Sequence, residues 1–446
     1  MKISLSDHFT YPRLIRFVLP SVGMMLFTSV YSVVDGFFVS NFVGKTPFAA
    51  INLVWPFLMI CGAVGFIIGT GGSALVSKTL GEGDREKAGR TFSFLVYVSV
   101  ALGVVFASLG IAFLRPITVL LGATENMIDD AVLYGRIILC ALPAFILQNV
   151  FQSFLVTAEK PGFGFGVTVA AGLTNMVLDA LLVGVLKWGL AGAAVATAMS
   201  QTVGGVIPLV WFCGRREPLR LGKAKWDGHA LTRTLTNGSS EFVTNISMSL
   251  VSMLYNYRLM EIAGEDGVAA YGVLMYVSFI FVAAFLGYSI GTAPLVSYHY
   301  GAGNREELKN LFRKSLVIIG TLAVVLTALG EGLAGPLARL FVGYDDALCD
   351  MTVRAFILYS FSYLPAGMNI YGSSFFTALN DGLVSATISF ARTFVFQIAA
   401  VLLLPSLLPV GMQLDGIWLS VTAAELASLC VTVWFLVRKR HRYRYA

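Results

Sequence analysis

Long apolar runs constrain the fold of this chain more than any other feature. Of its 446 residues, 57% are hydrophobic and 13% are charged, whereas a soluble domain carries about twice that charged fraction. A helix needs about 20 apolar residues to cross a bilayer. The sequence contains twelve such runs, which begin near residues 14, 48, 92, 131, 163, 190, 239, 271, 315, 352, 384 and 414. It therefore predicts an all-α polytopic membrane protein with twelve transmembrane helices.

The charged residues between the runs predict the orientation of the chain. When the N terminus is placed in the cytoplasm, most of the 31 Lys and Arg residues fall on the cytoplasmic side, as the positive-inside rule requires. The opposite loops are acidic, for example at Glu125, Glu265 and Asp346. This pattern predicts a multi-pass protein of the cytoplasmic membrane with both termini in the cytoplasm. It also accounts for the net charge of +6, so nucleic acid is not an expected partner.

The two halves of the sequence repeat each other at an offset of 220 residues. Gly71 then aligns with Gly291, and Gly81 aligns with Gly301. Six spans per half is an even number, so both halves have the same orientation and a pseudo-twofold axis lies along the membrane normal. The predicted domains are an N-terminal six-helix lobe (1–213), a cytoplasmic linker (214–238), a C-terminal six-helix lobe (239–437) and a basic cytoplasmic tail (438–446).

Two acidic residues lie inside apolar runs of the first half and have no acidic counterpart at the repeat offset in the second half. Asp35 falls within the first run, and Asp179 falls within the fifth, four residues after Asn175. An Asp at the centre of a membrane helix costs about 2.5–3.5 kcal/mol on insertion scales. At the repeat offset Asp35 aligns with Tyr255, so the second half lacks that acid. This asymmetry favours a chemical role for the acids; the alternative is a polar pair that only locks two helices together.

Repeated loops connect the sequence to a known family. The loop after the second span reads SALVSKTLGEGDREKA, and its counterpart in the second half reads APLVSYHYGAGNREEL. Together with the duplicated six-span plan, these loops resemble the multidrug and toxic compound extrusion (MATE) family of secondary transporters. The resemblance implies two six-helix lobes in a V and cation-coupled export. It is closest to the branch with an acidic site in the N-terminal lobe, which transfers to Asp35, Asn175, Asp179 and Thr197, with Pro20 as the helix-bending proline.

The coupling ion stays open at the level of sequence. Two carboxylates, a carboxamide oxygen and a hydroxyl suit a hard cation such as Na⁺. The same carboxylates can instead hold a proton, because burial and mutual repulsion both favour the neutral form. Both ions can therefore compete for the site. Gln148 and Gln152, four residues apart on the fourth span, are candidates for the same cavity; an interhelical hydrogen bond explains them equally well.

The expected cargo is an amphiphilic, often cationic drug or toxin, exported by alternating access. Methionine and aromatic side chains suit an adaptable cavity, although lipid-facing side chains give the same pattern. The candidates in the second half are Met248, Met253, Tyr255, Met275, Tyr276, Phe279, Tyr288, Met368 and Tyr371. Arg392 and Glu425 are further charges within spans. We expect them to pair with each other; the alternative is contact with the ligand. No cofactor is expected besides the coupling ion, and the protein is expected to be a monomer.

Three other functions are less compatible with the sequence. Gly81 to Asp84 form the G-x-G-D string of intramembrane aspartyl proteases, but they lie in a charged loop and Asn304 replaces the acid in the repeat. An enzyme is therefore not expected. A flippase or exporter of a lipid-linked or polar metabolite shares the bundle plan, yet its cavity would need basic residues for a diphosphate. A channel is disfavoured by the duplicated lobes.

Overall fold

The computed structural model describes residues 3–43, 45–214, 218–409 and 411–446. Positions 1, 2 and 215–217, which belong to the predicted first domain and linker, lie outside the described residues. The chain is helical almost throughout. Its helices are α1 Tyr11–Phe42, α2 Lys45–Gly81, α3 Arg85–Leu120, α4 Glu125–Thr157, α5 Pro161–Leu178, α6 Gly189–Cys213, α7 Gly228–Gly301, α8 Arg305–Gly332, α9 Ala334–Val342, α10 Asp346–Ser360, α11 Tyr363–Ala378, α12 Gly382–Phe390, α13 Phe396–Leu407 and α14 Gln413–Tyr443.

These helices make twelve passes, as the apolar runs predict. Ten helical stretches of the described chain are long and apolar enough to cross a membrane, and α12 and α13 belong to one of them, Gly382–Leu407. Another, α7, contains two passes because Gly264 has non-helical angles, φ 64° and ψ −150°, which glycine adopts without a side-chain clash. The short helices α10 and α11 follow each other almost without a break, since Phe361 and Ser362 keep right-handed helical angles. Together they supply the remaining pass.

Helices α1 to α6 pack on one another and form the N-terminal bundle. Helices α7, α8 and α10 to α14 form the C-terminal bundle, in which α11 contacts α7, α8, α12 and α14. The two bundles meet mainly where α1 and α2 pack against α7. Helix α7 begins at Gly228, so part of the predicted linker, 214–238, already belongs to the first helix of the C-terminal bundle. The exact domain limits and the cytoplasmic placement of the termini stay predictions.

Glycines repeated in both halves sit where the bundles approach most closely. A Cβ atom on Gly81 would lie 2.0 Å from the Tyr298 carbonyl oxygen, and a Cβ on Gly301 would lie 2.1 Å from the Lys78 carbonyl oxygen. Both distances are far below a normal contact. Each contact is the repeat image of the other at the 220-residue offset. The ends of α2 and α7 therefore cross backbone to backbone, close to the pseudo-twofold axis.

The segment before α1, residues 3–10, connects the two bundles at the same end. The Leu5 N–H donates to Glu159 Oε1 of the N-terminal bundle at 2.9 Å. The Phe9 N–H donates to Glu307 Oε1 of α8 at 2.9 Å, and Asn310 Nδ2 donates to the Phe9 carbonyl oxygen at 2.9 Å. The Phe9 side chain is fully buried. This segment is therefore bound to both halves of the protein.

Candidate functional site

Three of the predicted site residues meet in the interior of the N-terminal bundle. Asn175 Nδ2 on α5 donates to Asp35 Oδ1 on α1 at 3.3 Å. The carboxyl group of Asp179 adjoins that of Asp35. Asn175 is 2% exposed and Asp179 is 0% exposed. Two separate spans thus bring two acids and a carboxamide together in a site that is largely shielded from the surface.

A change of helix type begins at Asp179. Helix α5 gives way to a π-helical segment, Asp179–Val185, whose inward-facing residues are Asp179, Leu182 and Val183. π-Helical turns are rare and are frequent at functional sites. The wider turn lets the carboxyl group and two apolar side chains share the inner face. The position of Asp179 therefore depends on a π-helical turn. The hydrophobic periodicity of the sequence does not predict this turn.

Two tyrosines complete the surroundings of the acids. Tyr134 on α4 is 3% exposed; its hydroxyl interacts with Thr197 on α6, and it lies within electrostatic range of both carboxyl groups. Tyr31 precedes Asp35 by one helical turn and interacts with Gln148. The sequence pattern did not single out either tyrosine. Tyr31 lies four residues before Asp35, and this spacing could have identified it as a neighbour of the acid on the same helix face. Nothing in the apolar run around Tyr134 distinguishes that residue from a core residue.

Three oxygen atoms of this site lack hydrogen-bond partners in the part of the chain that the structure describes. Asn175 Oδ1 and both carboxyl oxygens of Asp179 are buried, and no group in the described ranges donates a hydrogen bond to them. Most buried polar atoms are hydrogen-bonded, and an unsatisfied one costs about 1–3 kcal/mol. A cation or a shared proton removes this cost. The oxygen atoms of Asp35, Asn175 and Asp179 form an all-oxygen donor set that fits Na⁺ as well as H⁺. Thr197, the fourth predicted ligand, lies next to Tyr134.

The other polar candidates of the first half lie deeper in the same bundle. Gln148 and Gln152 line a small cavity between α4, α5 and α6, together with Thr168 of α5. Gln148 also lies near Tyr31 of α1. The two glutamines thus share a cavity with each other, and the carboxyl groups do not line it. Pro20 lies inside the continuous helix α1, where it removes one helical hydrogen bond.

The aromatic and methionine candidates of the second half divide into two sets. Tyr255, Tyr288 and Tyr371 are at most 3% exposed and belong to the core of the C-terminal bundle. The Tyr255 hydroxyl donates to Gln397 Oε1 at 2.9 Å, and the Tyr288 hydroxyl donates to Ser315 Oγ at 2.9 Å. The side chains of a second group are partly or largely exposed: Met248, Met253, Met275, Tyr276, Phe279 and Met368. Only this second group is available for contact with cargo or lipid.

Arg392 and Glu425 form the ion pair that the sequence predicts. Arg392 Nε donates to Glu425 Oε1 at 2.8 Å and to Oε2 at 3.0 Å. Asn369 Nδ2 donates to Glu425 Oε2 at 2.8 Å. The Thr432 hydroxyl in turn donates to Asn369 Oδ1 at 2.8 Å. The Glu425 carboxylate is thus fully engaged by neighbouring helices. This cluster holds the C-terminal bundle together and differs in kind from the unpartnered oxygens of the acidic site.

Two six-span bundles come from an internal repeat, and the half-buried Asp35 adjoins the buried Asp179 in the N-terminal one. These features define a multi-pass membrane protein of the duplicated-bundle class. The MatE family model matches residues 20–181 and 242–403, once in each half. The chain belongs to the MatE family, the multidrug and toxic compound extrusion transporters. The resemblance inferred from the repeated loops is thereby confirmed at the level of the family. Assignment to the branch with an N-terminal cation site is a proposal.

Individual relatives agree with this family assignment. The multidrug export protein MepA of Staphylococcus haemolyticus is 24% identical over 367 residues, which is 80% of each chain. A crystal structure of MATE in complex with MaL6 superposes with a TM-score of 0.92 at 21% identity, covering 98% of both chains. A multidrug resistance MATE family transporter of the MOP superfamily in an outward-facing conformation gives a TM-score of 0.92 at 20% identity, again covering 98% of both chains. The solved structures share the twelve-helix fold.

Proposed function

We propose that the protein is a secondary antiporter, driven by Na⁺, H⁺ or both, that exports amphiphilic and often cationic drugs or toxins across the cytoplasmic membrane. The observation that carries the proposal is the buried set of unpartnered oxygens on Asn175 and Asp179 beside Asp35. Two adjacent carboxylates inside a bundle are unfavourable when neither a cation nor a proton is bound. Burial removes their hydration, and their negative charges repel each other. Family membership and the multidrug export function of MepA relatives support the cargo class.

In this proposal the cation and the cargo favour different conformations of the N-terminal bundle, so that binding of one opposes binding of the other. A bound cation joins Asp35, Asn175, Asp179 and Thr197 across α1, α5 and α6, so it favours an arrangement in which these helices are close together. Release of the cation leaves carboxylates that repel each other, and this favours a different arrangement. A ligand shifts such an equilibrium only by its difference in affinity for the two states. Alternating access then couples inward movement of the cation to outward movement of cargo.

A flippase for lipid-linked cargo is less well supported by the site. A diphosphate needs basic side chains that are free to bind it. Arg392 is the basic residue of the π-helical segment Ala391–Val395, and its Nε is already engaged by Glu425. The oxygen atoms at Asn175 and Asp179 would repel an anionic group. The charges described here therefore favour a cationic cargo and a cationic driver.

Asn175 discriminates between the two coupling ions, because its carboxamide can bind Na⁺ but cannot titrate. We expect proteoliposomes to export an ethidium-like dye when either a Na⁺ gradient or a pH gradient is imposed alone. Asn175→Ala should reduce Na⁺-driven export on the order of tenfold, equivalent to about 1.4 kcal/mol of lost binding, and should affect proton-driven export less. Asn52→Ala is the matched control, since Asn52 is exposed at the start of α2. Failure of both gradients to drive export would refute the proposed function.

A further inference from the structure

Helix α14 leads into a cluster of basic residues. The stretch 416–437 has the length of one membrane crossing, about 20 residues, and the helix continues to Tyr443. Five of the nine residues 438–446 are Lys or Arg, and none of them is Asp or Glu. The basic cluster therefore begins where the hydrocarbon region of the bilayer ends, at the level of the lipid headgroups.

One side of this basic segment is fixed to the C-terminal bundle. The Tyr443 hydroxyl donates to Oδ2 of Asp381, at the start of α12, at 2.6 Å. The fully buried Tyr445 packs between Phe312 of α8 and Phe375 of α11, with ring centroids 4.9 Å apart in both pairs. These contacts hold the segment in a defined position against three other helices.

The opposite side of the segment carries exposed cations. Val437 is 53% exposed, and the exposed Arg440 follows it by three residues. Trp434 is 50% exposed, and the exposed Arg438 and Arg442 follow it at intervals of four residues. Residues three or four apart lie on the same face of a helix. The apolar face of α14 that lipid tails cover in a membrane therefore continues directly into arginines.

These arginines have no acidic partner among the described residues. Lys439 is the cation of this segment that forms an ion pair, with Asp381 at 3.3 Å. The Arg438 guanidinium lies 4.8 Å from the Trp434 ring centroid, and this contact positions the guanidinium without neutralising its charge. The exposed cations that form no ion pair within the described chain are Arg438, Arg440, Arg442 and Arg444. Their charges are available to an anion from outside the chain.

The length of the arginine cluster matches the thickness of a headgroup layer. From Arg438 to Arg442 the helix rises about 6 Å, at 1.5 Å per residue. The headgroup region on each side of a bilayer is roughly 5–8 Å thick, and a guanidinium donates paired hydrogen bonds to phosphate oxygens. A signal that only orients the chain needs the charges alone, whereas the contacts of Tyr443 and Tyr445 hold these charges in place.

We propose that this arginine cluster binds the phosphate groups of anionic phospholipids in the leaflet around this end of α14. The members of the cluster are Arg438, Arg440, Arg442 and Arg444. The acyl chains of a bound lipid extend along the exposed side chains of Trp434 and Val437. Because the segment is attached to α8, α11 and α12, bound lipid stabilises the C-terminal bundle at this end. The inference is independent of the cargo and of the coupling ion.

A triple variant with Arg440→Gln, Arg442→Gln and Arg444→Gln tests the site and leaves the contact of Arg438 with Trp434 in place. The purified protein in detergent is titrated with phosphatidylglycerol or phosphatidylcholine, and bound lipid is counted by native mass spectrometry. We expect the affinity for phosphatidylglycerol to fall on the order of 100-fold, about fivefold per basic residue near an anionic surface. Lysine at the same three positions keeps the charges and should keep most of the affinity.

The matched control carries Arg220→Gln, Lys223→Gln and Lys225→Gln. These exposed residues lie between α6 and α7, so the loss of positive charge is the same, but the affinity should stay near that of the unmodified protein. Equal losses in the two variants would show that net charge alone matters and would overturn the proposal. Equal binding of phosphatidylglycerol and phosphatidylcholine by the unmodified protein would also overturn it. Displacement of phosphatidylglycerol by inorganic phosphate at constant ionic strength would instead identify a site for free anions.

Discussion

Asp35→Asn and Asp179→Asn are each expected to reduce gradient-driven export to background while the protein stays folded in the membrane. Each substitution preserves side-chain volume and removes the charge that a cation or proton must neutralise. Asn at either position still offers an oxygen to neighbours, so packing around Asn175 is retained. The measurement is dye export from proteoliposomes under imposed Na⁺ and pH gradients, with thermal unfolding in detergent as the test of folding.

The two substitutions should differ in stability, which gives the experiment an internal check. Both oxygens of Asp179 are buried, and neither has a hydrogen-bond partner among the described residues. Where no cation or proton compensates this charge, its removal should raise the unfolding temperature. Asp35 accepts from Asn175, so its replacement should change the temperature less. Ser32→Ala is the control on α1, because Ser32 is exposed and donates only to the Thr28 carbonyl oxygen. Wild-type export by both Asn variants would contradict the assignment of the site.

Glu425→Ala should destabilise the protein by about 3–5 kcal/mol, the usual loss when one partner of a buried ion pair is removed. Arg392 and Glu425 have side chains that are 17% and 5% exposed, so the remaining guanidinium cannot be solvated well. The double variant Arg392→Met with Glu425→Met should lose less, because no unpaired charge is left. Thermal and denaturant unfolding of the detergent-solubilised protein measure both effects.

Arg354 and Asp415 provide a comparison pair of similar geometry. Their shortest separation is 2.6 Å, shorter than that of the Arg392 pair, but the Arg354 side chain is 66% exposed. Solvent screens an exposed pair strongly, so Arg354→Ala should have a much smaller effect than Glu425→Ala. Equal losses in the two variants would show that burial does not set the contribution of the Arg392–Glu425 pair.

The fold was predictable because membrane insertion imposes a length and an apolar composition on every span. The twelve passes and the repeat follow from those constraints, and Gly81 and Gly301 recur because backbones touch there. The apolar runs predicted two passes near residues 239 and 271 and one pass near 352. They did not reveal that the first two join at Gly264 within one long helix, α7, or that the third is divided into α10 and α11. Such details depend on local backbone angles, which apolar composition leaves unspecified.

The acidic site was predictable because a charged side chain inside a membrane span has a high free-energy cost. Such residues are rare, so they are easily recognised in an apolar run. Asp35, Asn175 and Asp179 could be selected on that basis, and the structure brings them together. Tyr134 could not be selected, because a tyrosine in an apolar run is equally compatible with a core, an interface or a site. The same ambiguity affects the candidates for the cargo cavity. Unlike Asp, methionine and tyrosine have little free-energy cost in contact with lipid. Their positions in the sequence therefore do not show which side chains are buried and which are exposed.

The segment at residues 3–10 makes the start of the chain a reporter of conformational state. The N–H of Phe9 and its carbonyl oxygen are both bound by α8, while Leu5 is tied to Glu159 across the bundle boundary. If the bundles separate at this end, the segment cannot keep both attachments. We expect the Leu5–Glu159 attachment to break and the first residues to travel with the second half of the protein. A pair of distance labels at positions 5 and 159 should lengthen during turnover, and a constant distance would exclude this movement.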